Sequence, residues 1–251
     1  MRLFTTVPKW RRHEAPDLAA EFYDEILRLE PFFERITVIT ERYPSESKRE
    51  TIGNVEVRRV GTTRLPRLRG FMKVGGYLWE LLVLAVSGKV SVVYIRQLSP
   101  PDLLIGPAAK VLRIPVVQCV PGTWLFLGRK TMRRQFYRWL LKLSVACASK
   151  IVLYSPLMTA DVRKIASTLD IALVDYVRNG VDVQRFKPGD RSPDFLGRLN
   201  LPSDSPIVLY AGRIAPLKGV EEIIQAAEIV SNRIPNVKFL LAGTPEEEYL
   251  V

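Results

Sequence analysis

Short β-branched runs alternate with longer amphipathic stretches along the chain. The runs are RLFTTV (2–7), ITVIT (36–40), VEVRRV (55–60), SVVYI (91–95), PVVQCV (115–120), KIVLY (150–154), ALVDYV (172–177), IVLYAG (207–212) and VKFLLAG (237–243). They predict strands. Helices are predicted between them, over about 15–30, 71–87, 101–112, 129–148, 156–169 and 219–234. Strand–helix alternation with apolar strands predicts an α/β fold with a doubly wound parallel sheet covered on both faces. VEVRRV alternates apolar and basic residues instead, which predicts a place nearer a sheet edge.

The pattern breaks once. RFKPGDRSPDFLGRLNLPSDSP (185–206) is rich in Pro, Gly, Asp and Ser, which favour turns over regular elements. We place a domain boundary inside it, giving residues 1–190 and 191–251. The second part holds one strand, one helix and one strand. Its helix carries Val220, Ile223, Ile224, Ala227, Val230 and Ile234 at helical spacing. Two strands cannot cover such a face and build an independent core, so this domain reads as incomplete.

Composition narrows the function classes. Of the residues, 47% are apolar, enough for a packed core. The two cysteines, Cys119 and Cys147, lie in apolar runs and read as buried reduced thiols. With a single histidine, His13, a histidine-built metal site is not expected, and no metal or cofactor is predicted. MRLFTTVPKW lacks the apolar core of a signal peptide. The longest apolar stretch, Tyr77 to Val86, contains Glu80 and is shorter than the roughly 20 residues a span needs. The expectation is a cytoplasmic protein, at most bound to the inner face of a membrane.

Charge is uneven. Residues 1–150 carry 26 basic and 13 acidic side chains, and residues 151–251 carry 11 and 13. A basic N-terminal part fits an anionic partner, such as a lipid headgroup or a phosphorylated acceptor, or it is a plain solvated surface. No nucleic-acid-binding module accompanies the charge, so nucleic acid is not an expected partner.

The chemistry concentrates in VLYAGRIAPLKGVEE (208–222). A strand ends at Gly212 and a helix opens at Gly219, with Arg213 and Lys218 between. Ligand sites of open α/β sheets lie beyond the carboxyl ends of the strands, and a helix start favours an anion. A planar guanidinium and a long-stemmed ammonium there could hold a diphosphate and stabilise it as it leaves. The plainer reading is surface cations beside a helix whose dipole Glu221 and Glu222 complement.

AGRIAPLKG resembles the G-R-x(4)-K-G signature of the retaining nucleotide-sugar glycosyltransferases of family 4 (glycosyl transferases group 1), which have the GT-B fold. VRNGVDVQRFKPG (177–189) resembles that family's N-G-V-D-x-x-x-F-x-P segment, filled here by Asn179, Gly180, Val181, Asp182, Phe186 and Pro188. PNVKFLLAGTPEEEYL is similar to its strand, glycine and acidic helix start. The likeness is continuous from about Lys150 and topological before it. It implies an N-terminal Rossmann-like acceptor-side domain followed by the first βαβ unit of a nucleotide-sugar-binding domain. It implies donor diphosphate binding by Gly212, Arg213, Lys218 and Gly219, and transfer of a sugar to an acceptor hydroxyl with retention. Asn-Gly is also a strong turn signal, so Asn179 and Gly180 read as a hinge more than a substrate contact.

The chain departs from the family in three places. The loop after the first strand, PKWRRHEAPDLAAE, lacks the usual glycine pair. Arg11, Arg12 and His13 fill it, leaving Arg12 as a phosphate contact and His13 as either a proton carrier or an exposed loop histidine. The strand PVVQCV is followed by Pro121 where many members have a histidine beside the sugar. Gly122 N–H or the Thr123 hydroxyl would have to serve, and Trp124 either stacks on a sugar or closes the core. The acidic pair that addresses the donor lies further downstream in the family than Glu246, Glu247 and Glu248. A second expectation therefore stands beside the first: a truncated, non-catalytic fragment that binds donor or lipid phosphate and needs a partner chain. Finally, GRKTMRRQFYRWLLKLSVA (128–146) aligns Met132, Phe136, Trp139 or Leu140, and Leu143 on one helical face, with Arg129, Arg133, Arg134, Arg138 and Lys142 elsewhere. It is either a helix that docks on an anionic membrane carrying a lipid-linked acceptor, or a buried helix with a solvated basic back.

Overall fold

The computed structural model describes the chain except for residues 8–24, 43–45, 62–65, 97, 123–130, 168–169, 179, 185, 216–217 and 246–251. It divides into two compact units, Met1–Gly180 and Val181–Val251.

The first unit is built on eight strands: β1 (Arg2–Thr6), β2 (Arg35–Glu41), β3 (Arg49–Ile52), β4 (Val55–Val60), β5 (Val92–Ile95), β6 (Val116–Val120), β7 (Lys150–Leu153) and β8 (Val174–Tyr176). Their order is β3-β4-β2-β1-β5-β6-β7-β8. All neighbours are parallel except β3 and β4, which form a hairpin. The chain leaves β1 towards β2 and β4, then returns to β5 on the other side of β1. That reversal is where open α/β sheets place ligands.

VEVRRV, as β4, has only β3 beyond it, so the expected place near an edge is correct. Its basic residues are tolerated because each is paired. Arg58 binds Glu56 (2.8 Å) and Glu80 (2.7 Å), and Arg59 binds Glu50 (2.6 Å). A buried guanidinium without such partners would be strongly destabilising.

The helices of this unit include α1 (Pro66–Val86), α2 (Pro100–Val111), α3 (Met132–Cys147) and α4 (Met158–Ile165). α2 packs between α1 and α3. Beneath them Phe4, Val93 and Val116, which are register partners on one sheet face, meet Tyr77 and Leu81 of α1 and Ile105 of α2. Val120, Ile151 and Leu153 meet Leu140, Leu141 and Val145 of α3. α3 starts where the Thr131 hydroxyl accepts from the Arg134 amide (3.2 Å). It is keyed to the sheet by the buried Ser144 hydroxyl, which donates to Gln118 (2.6 Å). On the opposite face Ile26, Leu29 and Phe33 pack on Leu3, Val38 and Val57.

The second unit holds α5 (Pro193–Arg198), β9 (Ile207–Ala211), α6 (Val220–Arg233) and β10 (Lys238–Ala242). β9 and β10 pair in parallel, from Ile207 with Lys238 to Ala211 with Ala242. Val220, Val237, Leu196 and Ala215 are buried, but Ile224 and Ile229 of α6 and Leu209 of β9 are exposed. Among the described residues no helix is long and apolar enough to cross a membrane.

Candidate functional site

The loop between β9 and α6 holds Gly212, Arg213, Lys218 and Gly219, so local connectivity alone brings these four together. The parallel ladder continues past the strand ends. Gly212 N–H donates to Ala242 O (2.9 Å) and Ile214 N–H to Thr244 O (3.0 Å). The backbone of Arg213 is thus held at the carboxyl edge of the two-stranded sheet. The Tyr210 hydroxyl donates to the Arg213 carbonyl (2.5 Å), tying the turn back to its own strand.

Two glycines are required by the geometry. A Cβ on Gly243 would lie 1.7 Å from the Gly212 carbonyl oxygen, and neither backbone has room to yield. Gly219 has φ +70°, in the left-handed region, and is the N-cap of α6. Its carbonyl accepts from Ile223 N–H (3.1 Å). Having no side chain, it supplies no side-chain cap at the positive end of the helix dipole. Arg213 and Lys218 are both exposed at this end of the unit. A helix start with no side-chain cap and two cations suit a diphosphate. Glu221 and Glu222 share the first turn.

The remaining sequence candidates lie in the first unit or outside the described residues. Arg12, His13, Thr123 and Asn179 lie outside them, as do Trp124 and Glu246 to Glu248. Gly122 follows β6 and is half-buried. Gly180 is exposed, a Cβ there would meet nothing within 4 Å, and the compact units divide directly after it. Among the described residues, no group of three or more His, Cys, Asp or Glu side chains could hold a metal ion.

A polar cluster that the sequence did not reveal sits at the carboxyl ends of β5, β6 and β7. Arg96 donates to the Tyr154 hydroxyl (3.2 Å) and pairs with the Glu25 carboxylate, to which Tyr94 also donates (3.3 Å). Burial pushes the Tyr154 hydroxyl up to about 12 and raises Tyr94 as well. Burial also raises the Cys119 thiol, favouring its neutral form, and Cys119 is buried as expected, whereas Cys147 is half-buried. An apolar cavity of about 280 Å³ lies beside the cluster, lined by Leu3, Glu25, Phe33, Tyr94 and Val117 among others. The signal available in the sequence was positional: Arg96 and Tyr154 each come directly after an apolar strand.

Residues 27–180 match the family model of the glycosyl transferase 4-like domain, and residues 192–251 match that of glycosyl transferases group 1. A D-inositol 3-phosphate glycosyltransferase of Mycobacterium avium (strain 104) is 41% identical over 76 residues, 30% of this chain and 17% of that protein. The enzyme of that name from Mycobacterium tuberculosis (strain F11) is 40% identical over 76 residues, covering 30% of this chain and 15% of its own length. Among solved structures, an α,α-trehalose-phosphate synthase (UDP-forming) from Burkholderia xenovorans, in complex with glucose-6-phosphate, has a TM-score of 0.64 at 12% identity. The alignment covers 98% of this chain and 66% of that one. An α,α-trehalose 6-phosphate synthase from Burkholderia multivorans gives 0.62 at 14%, with 98% and 66% covered. These structures bear out the expected fold, α/β and GT-B-like. The chain thus spans about two thirds of these structures, and the matched stretch is a small part of the curated relatives.

Proposed function

The chain belongs to the glycosyl transferase 4-like family, and from that premise we propose that it moves a hexosyl group from a nucleotide-diphosphate sugar to an acceptor hydroxyl, with retention. The observation that carries the reading is the connection from β9 to α6: a backbone held at the sheet edge at Gly212 and Ile214, a helix start with no side-chain cap, and two exposed cations of different reach. In this reading Arg213 grips the diphosphate with its planar fork and Lys218 follows the charge as it leaves. The bond from the anomeric carbon to the phosphate oxygen breaks. The acceptor oxygen bonds on the same face, and its proton leaves with the diphosphate.

The acceptor is taken to be anionic, phosphorylated or lipid-linked. The basic excess of the first 150 residues supports this, and the relatives' names include an inositol phosphate. Calorimetry with UDP and GDP tests the site. Arg213→Ala and Lys218→Ala are each expected to weaken binding about 10–100-fold, the range for a hydrogen bond to a charged group. Unchanged binding overturns the assignment, and an inverted anomer in the product spectrum overturns retention.

A second reading is favoured by the exposed Leu209, Ile224 and Ile229: the chain binds the donor but turns over only when another chain covers these residues. Transfer by the isolated chain would remove that reading.

A further inference from the structure

α1 carries two apolar stripes. Tyr77, Leu81 and Leu84 are buried against the sheet. On the opposite side, Phe71 and Met72, Trp79, Leu82 and Val83, and Val86 are all exposed, from 41% at Val83 to 80% at Val86. Their spacing of three, four and seven residues puts them on one side of the helix. A helix apolar all round is normally buried. α3 repeats the arrangement. Leu140, Leu141 and Val145 are buried, while Met132, Phe136 and Trp139 are 88%, 52% and 57% exposed. The rings of Phe136 and Trp139 stack with centroids 6.1 Å apart. Since α2 packs between α1 and α3 and all three cover one sheet face, both ridges point away from the sheet.

The charges around these ridges have one sign. α3 contains Arg134, Arg138 and Lys142 and no acidic residue along its 16 positions. The only acid of α1, Glu80, is held by Arg58 at 2.7 Å. The α3 ridge, with Lys142 and then Arg138 along one flank, matches the boundary of an anionic lipid layer, and the α1 ridge adds apolar side chains to the same side: the apolar groups enter the layer and the cations meet phosphates. A second copy of this chain would set the same cations against each other.

We propose that the outer faces of α1 and α3 dock on an anionic bilayer surface without crossing it. This stands apart from the transfer reaction, since it needs neither donor nor acceptor. Flotation of the full chain with vesicles of phosphatidylcholine, alone or mixed with phosphatidylglycerol, tests it. Binding is expected to the mixed vesicles, with a blue shift of tryptophan emission. Arg138→Gln and Lys142→Gln should each lower the partition coefficient about fivefold, and Trp79→Ser and Phe136→Ser about tenfold each. These side chains lie outside the core, and unchanged circular dichroism confirms that the variants fold. Three results overturn the proposal: no binding to the mixed vesicles, equal binding to neutral ones, or binding that none of the four variants weakens. A sedimenting dimer that Trp79→Ser dissociates also overturns it, in favour of self-association.

Discussion

Both compact units expose large apolar side chains, but on different parts of their architecture. In the first unit they lie on the outer sides of α1 and α3, whose inner sides already pack on a complete sheet. In the second they lie on β9, β10 and α6, at Val208, Leu209, Leu241, Ile224 and Ile229. Those are the elements from which a core is made. Equal exposure therefore has two meanings. In one unit it is a surface added to a finished interior. In the other it is interior-type surface that the described residues do not cover.

The largest test of that contrast pairs two leucines. Leu81→Ala, in the first core, should cost about 2–5 kcal/mol in urea unfolding. Leu209→Ala, on exposed β9, should stay within about 0.5 kcal/mol. Equal losses would break the comparison. Gly243→Ala comes next. Its Cβ would meet the Gly212 carbonyl oxygen, so a cost of about 1–3 kcal/mol is expected. Nucleoside diphosphate affinity should fall too, although no side chain of the loop has changed. A variant that binds normally would show that the ladder does not hold the loop in place.

Tyr210→Phe removes the hydrogen bond to the Arg213 carbonyl and should weaken binding by about 0.5–1.5 kcal/mol, read by calorimetry. The smallest effect is on pH. Burial pushes the Glu56 carboxyl up, but the hydrogen bond and charge of Arg58 outweigh it and hold the group below its ordinary value. A lowered carboxyl contributes stability above its unfolded pKa of about 4.3, and that stability is lost as pH falls through the folded value. Comparing unfolding midpoints at pH 7 and in acid, Glu56→Gln should lose less than the parent chain. An equal loss would mean that the Arg58 pair does not shape the acid limb.

Most strands of the fold were legible because β-branched runs are local signals. β3 was not. RETI is short and polar, and it becomes a strand only by pairing with β4 across Gly53. α5 was read as linker because Pro193 and Gly197 punctuate it, yet Ser192 caps it by accepting from Phe195 N–H (3.3 Å). At the site, Arg213 and Lys218 were legible because one short loop carries both. The need for glycine at position 243 was not, since it arises from a neighbouring strand. The Arg96, Glu25 and Tyr154 cluster draws on three separate elements that only the strand order joins. The choice between Trp139 and Leu140 on α3 was open for a similar reason. The two point about 100° apart, and packing on the sheet buries Leu140.

The ladder that runs past β9 and β10 to Ile214 and Thr244 has a kinetic consequence. The turn bearing Arg213 is set by folding, before any ligand arrives. A ligand has no backbone to order from Gly212 to Ile214, so the entropy cost of capture there falls on the side chains. Arrival should then follow encounter frequency and ionic strength, while residence time reflects the grip of the two side chains.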